Sequence, residues 1–439
     1  MAAGWRTLHR SRSGLAADLA LYGLSAAFAA ATAATSTLLP HREWGRLATA
    51  GYLLAALAVI GQLLLHRRST NSRLAGTTAR AALAALTWTA VALAPMIGQA
   101  LQRAAGNIDR AQEEVQVIEA AGARLLTHGT PYLGRDAIAA LPPTEQLLGY
   151  LPYQPGMALF GLPRAALGNG WWTDSRIWFA LVTAVALALA VRSLRRPGHP
   201  LALNAPHAAA LARALQLTAI LPISALTLAT GGHDLPVLAL CLLALTLQTT
   251  RRHGTAGLAV GLAAALKLIA APIAFALLLH AATCGRRAAA RFAAGALALP
   301  TAALIPAYLV DRAALLENML RFPLGKGLVT SPAQSPFPGY LIASALPAGN
   351  IIAAALLAAA GLAVALHLLR RPPRTTAATA LICAYGLLAA ILLMPTTRFG
   401  YLLYPIALLA WIPALRLTGT PHRVAAVPHP AAPASVVGT

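Results

Sequence analysis

From Arg251 to Arg291 the chain reads RRHGTAGLAVGLAAALKLIAAPIAFALLLHAATCGRRAAAR. Between Thr255 and His280 this stretch carries one charge, Lys267, and it exceeds the roughly 20 apolar residues that a helix needs to cross a bilayer. Arginines stand at both ends, however: Arg251 and Arg252 before it, and Arg286, Arg287 and Arg291 after it. Membrane proteins collect arginine on the cytoplasmic side, and one crossing cannot place both ends there. The run Lys267-Leu268-Ile269-Ala270-Ala271-Pro272 offers a break, because proline donates no helical hydrogen bond and frees a backbone carbonyl. A broken segment that dips into the membrane and returns satisfies the charges; a simple span is the alternative.

Further apolar runs lie at 15–38, 45–65, 80–101, 176–192, 207–229, 234–250, 290–310, 346–368, 375–394 and 399–415. Counting the Thr255–His280 stretch as a hairpin brings every arginine cluster onto one side. The N-terminus, 66–80, 192–199 and 370–374 are then cytoplasmic. The expected fold is an all-α polytopic membrane protein of about 10–11 transmembrane helices plus the re-entrant segment. It forms a single membrane domain over 1–415, multi-pass in the plasma membrane, with a Pro- and Ala-rich tail at 416–439 expected to be disordered and cytoplasmic. Two extracytoplasmic loops follow from the same count, a large one at 102–175 and an irregular, Pro- and Gly-rich one at 311–340. In the first, Val115, Ile118, Ala121 and Leu125 recur at helical spacing, the pattern of an interfacial amphipathic helix.

The composition agrees. The 439 residues are 58% hydrophobic and 10% charged, with mean hydropathy +0.66. A net charge of +22 in a soluble domain would point to nucleic acid, but here the arginines sit between apolar runs as membrane anchors, and no nucleic-acid partner is expected. The lipid bilayer is the partner that composition names. Cys241, Cys284 and Cys383 stand singly, without metal-ligand spacing. Residues 15–38 are too long an apolar run for a cleaved signal and read as a first span.

Seven of the twelve acids fall between Asp109 and Asp174, in the first loop. There Glu113-Glu114-Val115 opens a helix, Gly129-Thr130-Pro131-Tyr132 follows it, and Leu151-Pro152-Tyr153-Gln154-Pro155 comes next. A carboxylate opening a helix, then Gly-x-Pro-Tyr, then Leu-Pro-Tyr-x-Pro, resembles the first external loop of the GT-C glycosyltransferases. More narrowly it is similar to glycosyltransferase family 87, the polyprenol-phosphate-sugar-dependent mannosyltransferases. In that family an aspartate opens the helix; Glu114 holds the matching place here, with Glu113 and Asp109 as neighbouring candidates. The resemblance also touches His233 and Asp234 at the start of an apolar run, Lys267 and Pro272 in the broken segment, and more weakly Arg398 and Tyr401.

The resemblance implies transfer of a hexose, mannose in the family, from a polyprenyl-phosphate sugar donor to a glycan or glycolipid acceptor at an extracytoplasmic site. Such a transfer needs a base for the acceptor hydroxyl, the part of Glu114, Glu113 or Asp109. It needs cations for the donor phosphate, for which Lys267 and Arg398 are candidates. Tyr132, Tyr153, His233 and Asp234 are candidates for binding substrate. No cofactor or metal is expected, because side chains can meet the phosphate. Structural alternatives stand beside each role: Glu114 as a favourable charge at a helix N-terminus, Glu113 with Glu119 as its solvated face, Asp234 as a helix start, Arg398 as an interfacial anchor. A secondary transporter with its site at the broken segment, or a non-catalytic envelope-assembly protein, remains the rival function.

Overall fold

The computed structural model describes residues 14–68, 73–194 and 205–418; the basic N-terminal segment and the tail from 419 lie outside them. Among the described residues helices build the fold, and the one β-bridge, Gln334 with Thr397, is isolated. Helices α1 (Leu15–Thr35) and α2 (Leu39–Arg68) form a tight hairpin, in which Gly45 lies against the α1 backbone at Ala29 and Ala33. Helix α3 (Thr77–Ala104) widens into a π turn at Thr89–Leu93. The turn leaves the Val91 carbonyl to accept from Trp44 Nε1 at 2.7 Å, which pins α2 to α3.

After the loop helix α4 (Glu113–His128) come α5 (Ser175–Ser193) and the bent pair α6 (Pro206–Ile220) and α7 (Pro222–Thr230), which turn 47° at Leu221. Pro222 breaks the ladder, and the Tyr52 hydroxyl donates to the Ile220 carbonyl beside the break. Helix α8 (Asp234–Thr249) is buried along almost its whole length, the mark of a central helix that is apolar all round. Helices α9 (His253–Leu266), α10 (Ala271–Thr283), α11 (Arg286–Val310), α12 (Gly349–Arg370), α13 (Thr376–Leu393) and α14 (Leu403–Thr418) complete the bundle. Eight helices among the described residues are long and apolar enough to cross a membrane, and the α6–α7 pair makes a ninth such crossing. Helix α8, 16 residues long, joins the same two faces, with Asp234 near Tyr404 at one end and Thr249 bonded to Thr376 at the other. Leu309 on α11 and Ile351 on α12 are 76% and 71% exposed, as lipid-facing side chains are.

Helices α9 and α10 form the broken hairpin. Lys267 between them is extended (φ −153°, ψ 135°). His253 at the start of α9 is within electrostatic reach of His280 near the end of α10 and of Arg291 on α11. His280 also bonds the Pro373 carbonyl, between α12 and α13. Both arms therefore return to one face, the one that gathers the arginine clusters, and the tip points to the opposite face, where the two long loops lie. The freed Leu266 carbonyl accepts from the Gln154 amide at 3.2 Å, so the first loop satisfies the break.

The loops are tied down by buried charge. Arg103, at the end of α3, gives one nitrogen to Glu119 (2.8 Å) and another to Asp174 (2.5 Å), and Asp174 caps α5. Burial works against an ionised Asp174, but Arg176 and Arg103 hold it well below the usual carboxylate range. One expectation changes here: Glu119 is no solvated residue, since it is buried between Arg103 and Arg164. The apolar stripe of α4 is buried as one face, on which Gly122 packs against the Gly161 backbone. The second loop locks onto the first through Asn318, whose Oδ1 accepts from the Leu151 amide and whose Nδ2 donates to the Leu133 carbonyl.

Candidate active site

A cavity of about 1510 Å³ opens beneath the loops. Its walls are largely apolar, with leucine the commonest lining residue, and its polar groups concentrate at the loop end, where five segments far apart in sequence meet. Helix α4 brings Glu113 and Glu114 in its first turn. The Leu-Pro-Tyr-Gln-Pro turn brings Tyr153 and Gln154, the start of α8 brings His233 and Asp234, the hairpin tip brings Lys267, and the turn before α14 brings Arg398 and Tyr401.

Two charge pairs organise this end. Arg398 bonds Glu114 directly, across 284 residues of chain. Lys267 Nζ donates to Asp234 Oδ1 at 2.6 Å, and the Tyr404 hydroxyl donates to the same oxygen at 2.7 Å. The ammonium also lies 3.1 Å from His233 Nε2 and sits over the rings of Tyr401 and Tyr153, 4.6 Å and 5.4 Å from their centroids. Burial, aided by that ammonium, lowers His233 to about 4, so the ring is neutral at physiological pH. Burial likewise pushes the Tyr153 hydroxyl up, leaving it a neutral hydrogen-bonding group.

A model of glycosyltransferase family 87 matches residues 150–395, more than half of the chain. The chain belongs to glycosyltransferase family 87. It is a glycosyltransferase held in a membrane by apolar helices. No curated protein and no solved structure matches it.

The stretch shared with family 87 contains Tyr153, His233, Asp234 and Lys267; Glu113 and Glu114 precede it and Arg398 follows it by three residues. Not every residue singled out in the sequence reaches the cavity of this glycosyltransferase. Asp109 is 62% exposed and 3.8 Å from Arg110, and it is not among the lining residues. Tyr132 stands behind the wall, its hydroxyl donating to the Tyr153 carbonyl at 2.8 Å, so it positions Tyr153 without facing the cavity. Glu113 does line the cavity and makes no ion pair among the described residues. Sequence reasoning missed Tyr404 as the partner of Asp234. It also missed His41 and Gln112, which meet at 2.7 Å on the cavity wall. A tyrosine opening an apolar helix is a weak signal, and nothing local links His41 to a residue 71 positions later.

Proposed function

We propose that this glycosyltransferase moves a hexose, mannose by family resemblance, from a polyprenyl-phosphate donor to a glycan or glycolipid acceptor. The arginine-rich face is cytoplasmic by the positive-inside rule, which puts the reaction at the extracytoplasmic surface of the plasma membrane. The observation that carries this reading is the meeting of a carboxylate–guanidinium pair and a buried lysine at the polar mouth of a large apolar cavity. Apolar walls suit an isoprenoid tail, and cations at the mouth suit the phosphate that joins tail to sugar.

The acceptor oxygen attacks the anomeric carbon while the bond from that carbon to the phosphate oxygen breaks, inverting the centre and releasing polyprenyl phosphate. Glu114 takes the hydroxyl proton. Arg398 pairs with Glu114, and a donor phosphate that draws Arg398 toward itself frees the carboxylate as base. Lys267, held by Asp234, meets charge building on the leaving phosphate.

The test is transfer from labelled polyprenyl-phosphate mannose to a membrane acceptor by the purified protein. Glu114→Gln lowers the rate about 10²–10⁴-fold, the worth of a general base, at unchanged expression, and Glu113→Gln keeps most activity. Unchanged transfer by Glu114→Gln, with loss in Glu113→Gln, moves the base to Glu113. Family membership weighs against a transporter, and a wild type without transfer favours the non-catalytic assembly role.

A further inference from the structure

All twelve acids of the chain lie within its described residues, and Asp18 alone among them stands on the arginine-rich face. It is buried, 1% exposed, between two arginines. Arg80 bonds both of its oxygens, through Nε at 2.5 Å and Nη2 at 3.0 Å. Arg213 approaches Oδ1 with Nη2 at 2.6 Å and gives the same nitrogen to the Gly14 carbonyl at 3.2 Å. The three groups carry a net charge of +1. They lie near the starts of α1, α3 and α6, within roughly 10 Å of those helix ends by the rise of an α-helix.

Arg213 is 6% exposed, and its Nε and Nη1 have no partner among the described residues. The residue also lines the cavity, along with Ala20, Leu21, Leu24 and Leu217. Seventeen positions along the α6–α7 pair take the chain from it to Thr230 at the loop end, roughly 25 Å at helical rise. One cavity thus has a polar reaction end and, far from it, a buried guanidinium with nitrogens to spare. A single positive charge in an apolar interior is costly unless an anion meets it. No further acid side chain stands on this face to meet the two spare nitrogens of Arg213, and an isoprenoid tail reaching down the cavity is hydrocarbon and brings no anion.

We propose that this end of the cavity binds the phosphate group of an anionic phospholipid, with Arg213 as the ligand, held by the Gly14 carbonyl and with its charge offset in part by Asp18. The lipid enters from the leaflet on the arginine-rich face, and its acyl chains lie on the leucine-lined wall. The site does not depend on the identity of the sugar donor.

The experiment is native mass spectrometry of the full chain in mild detergent, after lipid stripping, with phosphatidylglycerol, phosphatidylcholine or inorganic phosphate added. Wild type is expected to retain one phosphatidylglycerol at least tenfold better than phosphatidylcholine, with millimolar inorganic phosphate failing to displace it. Arg213→Gln brings the cluster to zero net charge and abolishes the preference, whereas Asp18→Asn raises the charge to +2 and increases retention. These opposite directions keep the test decisive if Arg213→Gln does not fold, since Asp18→Asn alone must then show the gain. Equal retention by wild type and Arg213→Gln, no gain in Asp18→Asn, or displacement of the lipid by inorganic phosphate overturns the assignment.

Discussion

Asp234 and Lys267 are both buried, and each is tolerable there because of the other. Removing one partner leaves a bare charge at the mouth of the cavity. Asp234→Asn is therefore expected to destabilise the protein by about 3–5 kcal/mol, the usual cost of breaking a buried pair, and to lower transfer. Adding Lys267→Met to it removes the stranded ammonium and restores most of the lost stability, but not the activity, because the proposed phosphate contact loses its cation. Thermal unfolding in detergent beside a transfer assay separates the two effects; a double variant as unstable as the single one would show that the pair is not what stabilises this corner. Lys267 was legible as the lone charge in an apolar run, and Asp234 as the first residue of a span. Their pairing was not, since it spans 33 residues and is made by the fold of the hairpin against α8. Arg398 shows the same limit. Beside Phe399 and Tyr401 it reads as an interfacial anchor, and only the folded chain brings it to Glu114.

At the level of elements, the re-entrant hairpin was a legible feature, because the arginines at both ends and the break before Pro272 favoured it over a simple span. What holds it in place was not read from the sequence. Helix α9 carries Gly257 and Gly261 four residues apart, and both meet α11 at Gly295 and its neighbours, the close backbone approach that small residues permit between membrane helices. A Cβ on Gly257 would stand 2.1 Å from the Phe292 carbonyl oxygen, whereas one on Gly361 in α12 meets nothing within 4 Å. Gly361→Ala should thus gain up to about 1 kcal/mol from helix propensity. Gly257→Ala makes the same local change but must push α9 off α11, shifting Lys267 at the tip, and is expected to cost about 1–3 kcal/mol along with activity. Paired melting curves decide it: equal shifts in the two variants would mean that α9 and α11 do not touch as closely as this.

Across the whole molecule, the separation of charge was plain in the sequence, with most acids in the loops and the arginine clusters on the opposite face, and it pointed to the face where the candidate site lies. The joining of the two loops was not plain, because Pro- and Gly-rich sequence carries no periodicity and the side chains that tie them are single residues. Asn318 is fully buried and holds both loops at once, through the Leu151 amide at 2.7 Å and the Leu133 carbonyl at 2.8 Å. The turn it fixes leads directly into Tyr153 and Gln154, and Gln154 in turn satisfies the hairpin break. Truncating Asn318 to Ala strands a buried donor and a buried acceptor, each worth about 1–3 kcal/mol, and lets the second loop lift from the first. Trypsin reports this opening, because Arg321 and Lys326 both lie in the segment that would be released. Cleavage there is expected to accelerate about tenfold or more, since each 1.4 kcal/mol of lost closure raises the open population tenfold when opening is fast, and transfer should weaken as Tyr153 loses its fixed place. If Asn318→Ala is cut no faster than wild type, the loops are held together by the Glu317 contacts to Arg135 and Tyr150, and Glu317→Gln becomes the variant that opens the cavity.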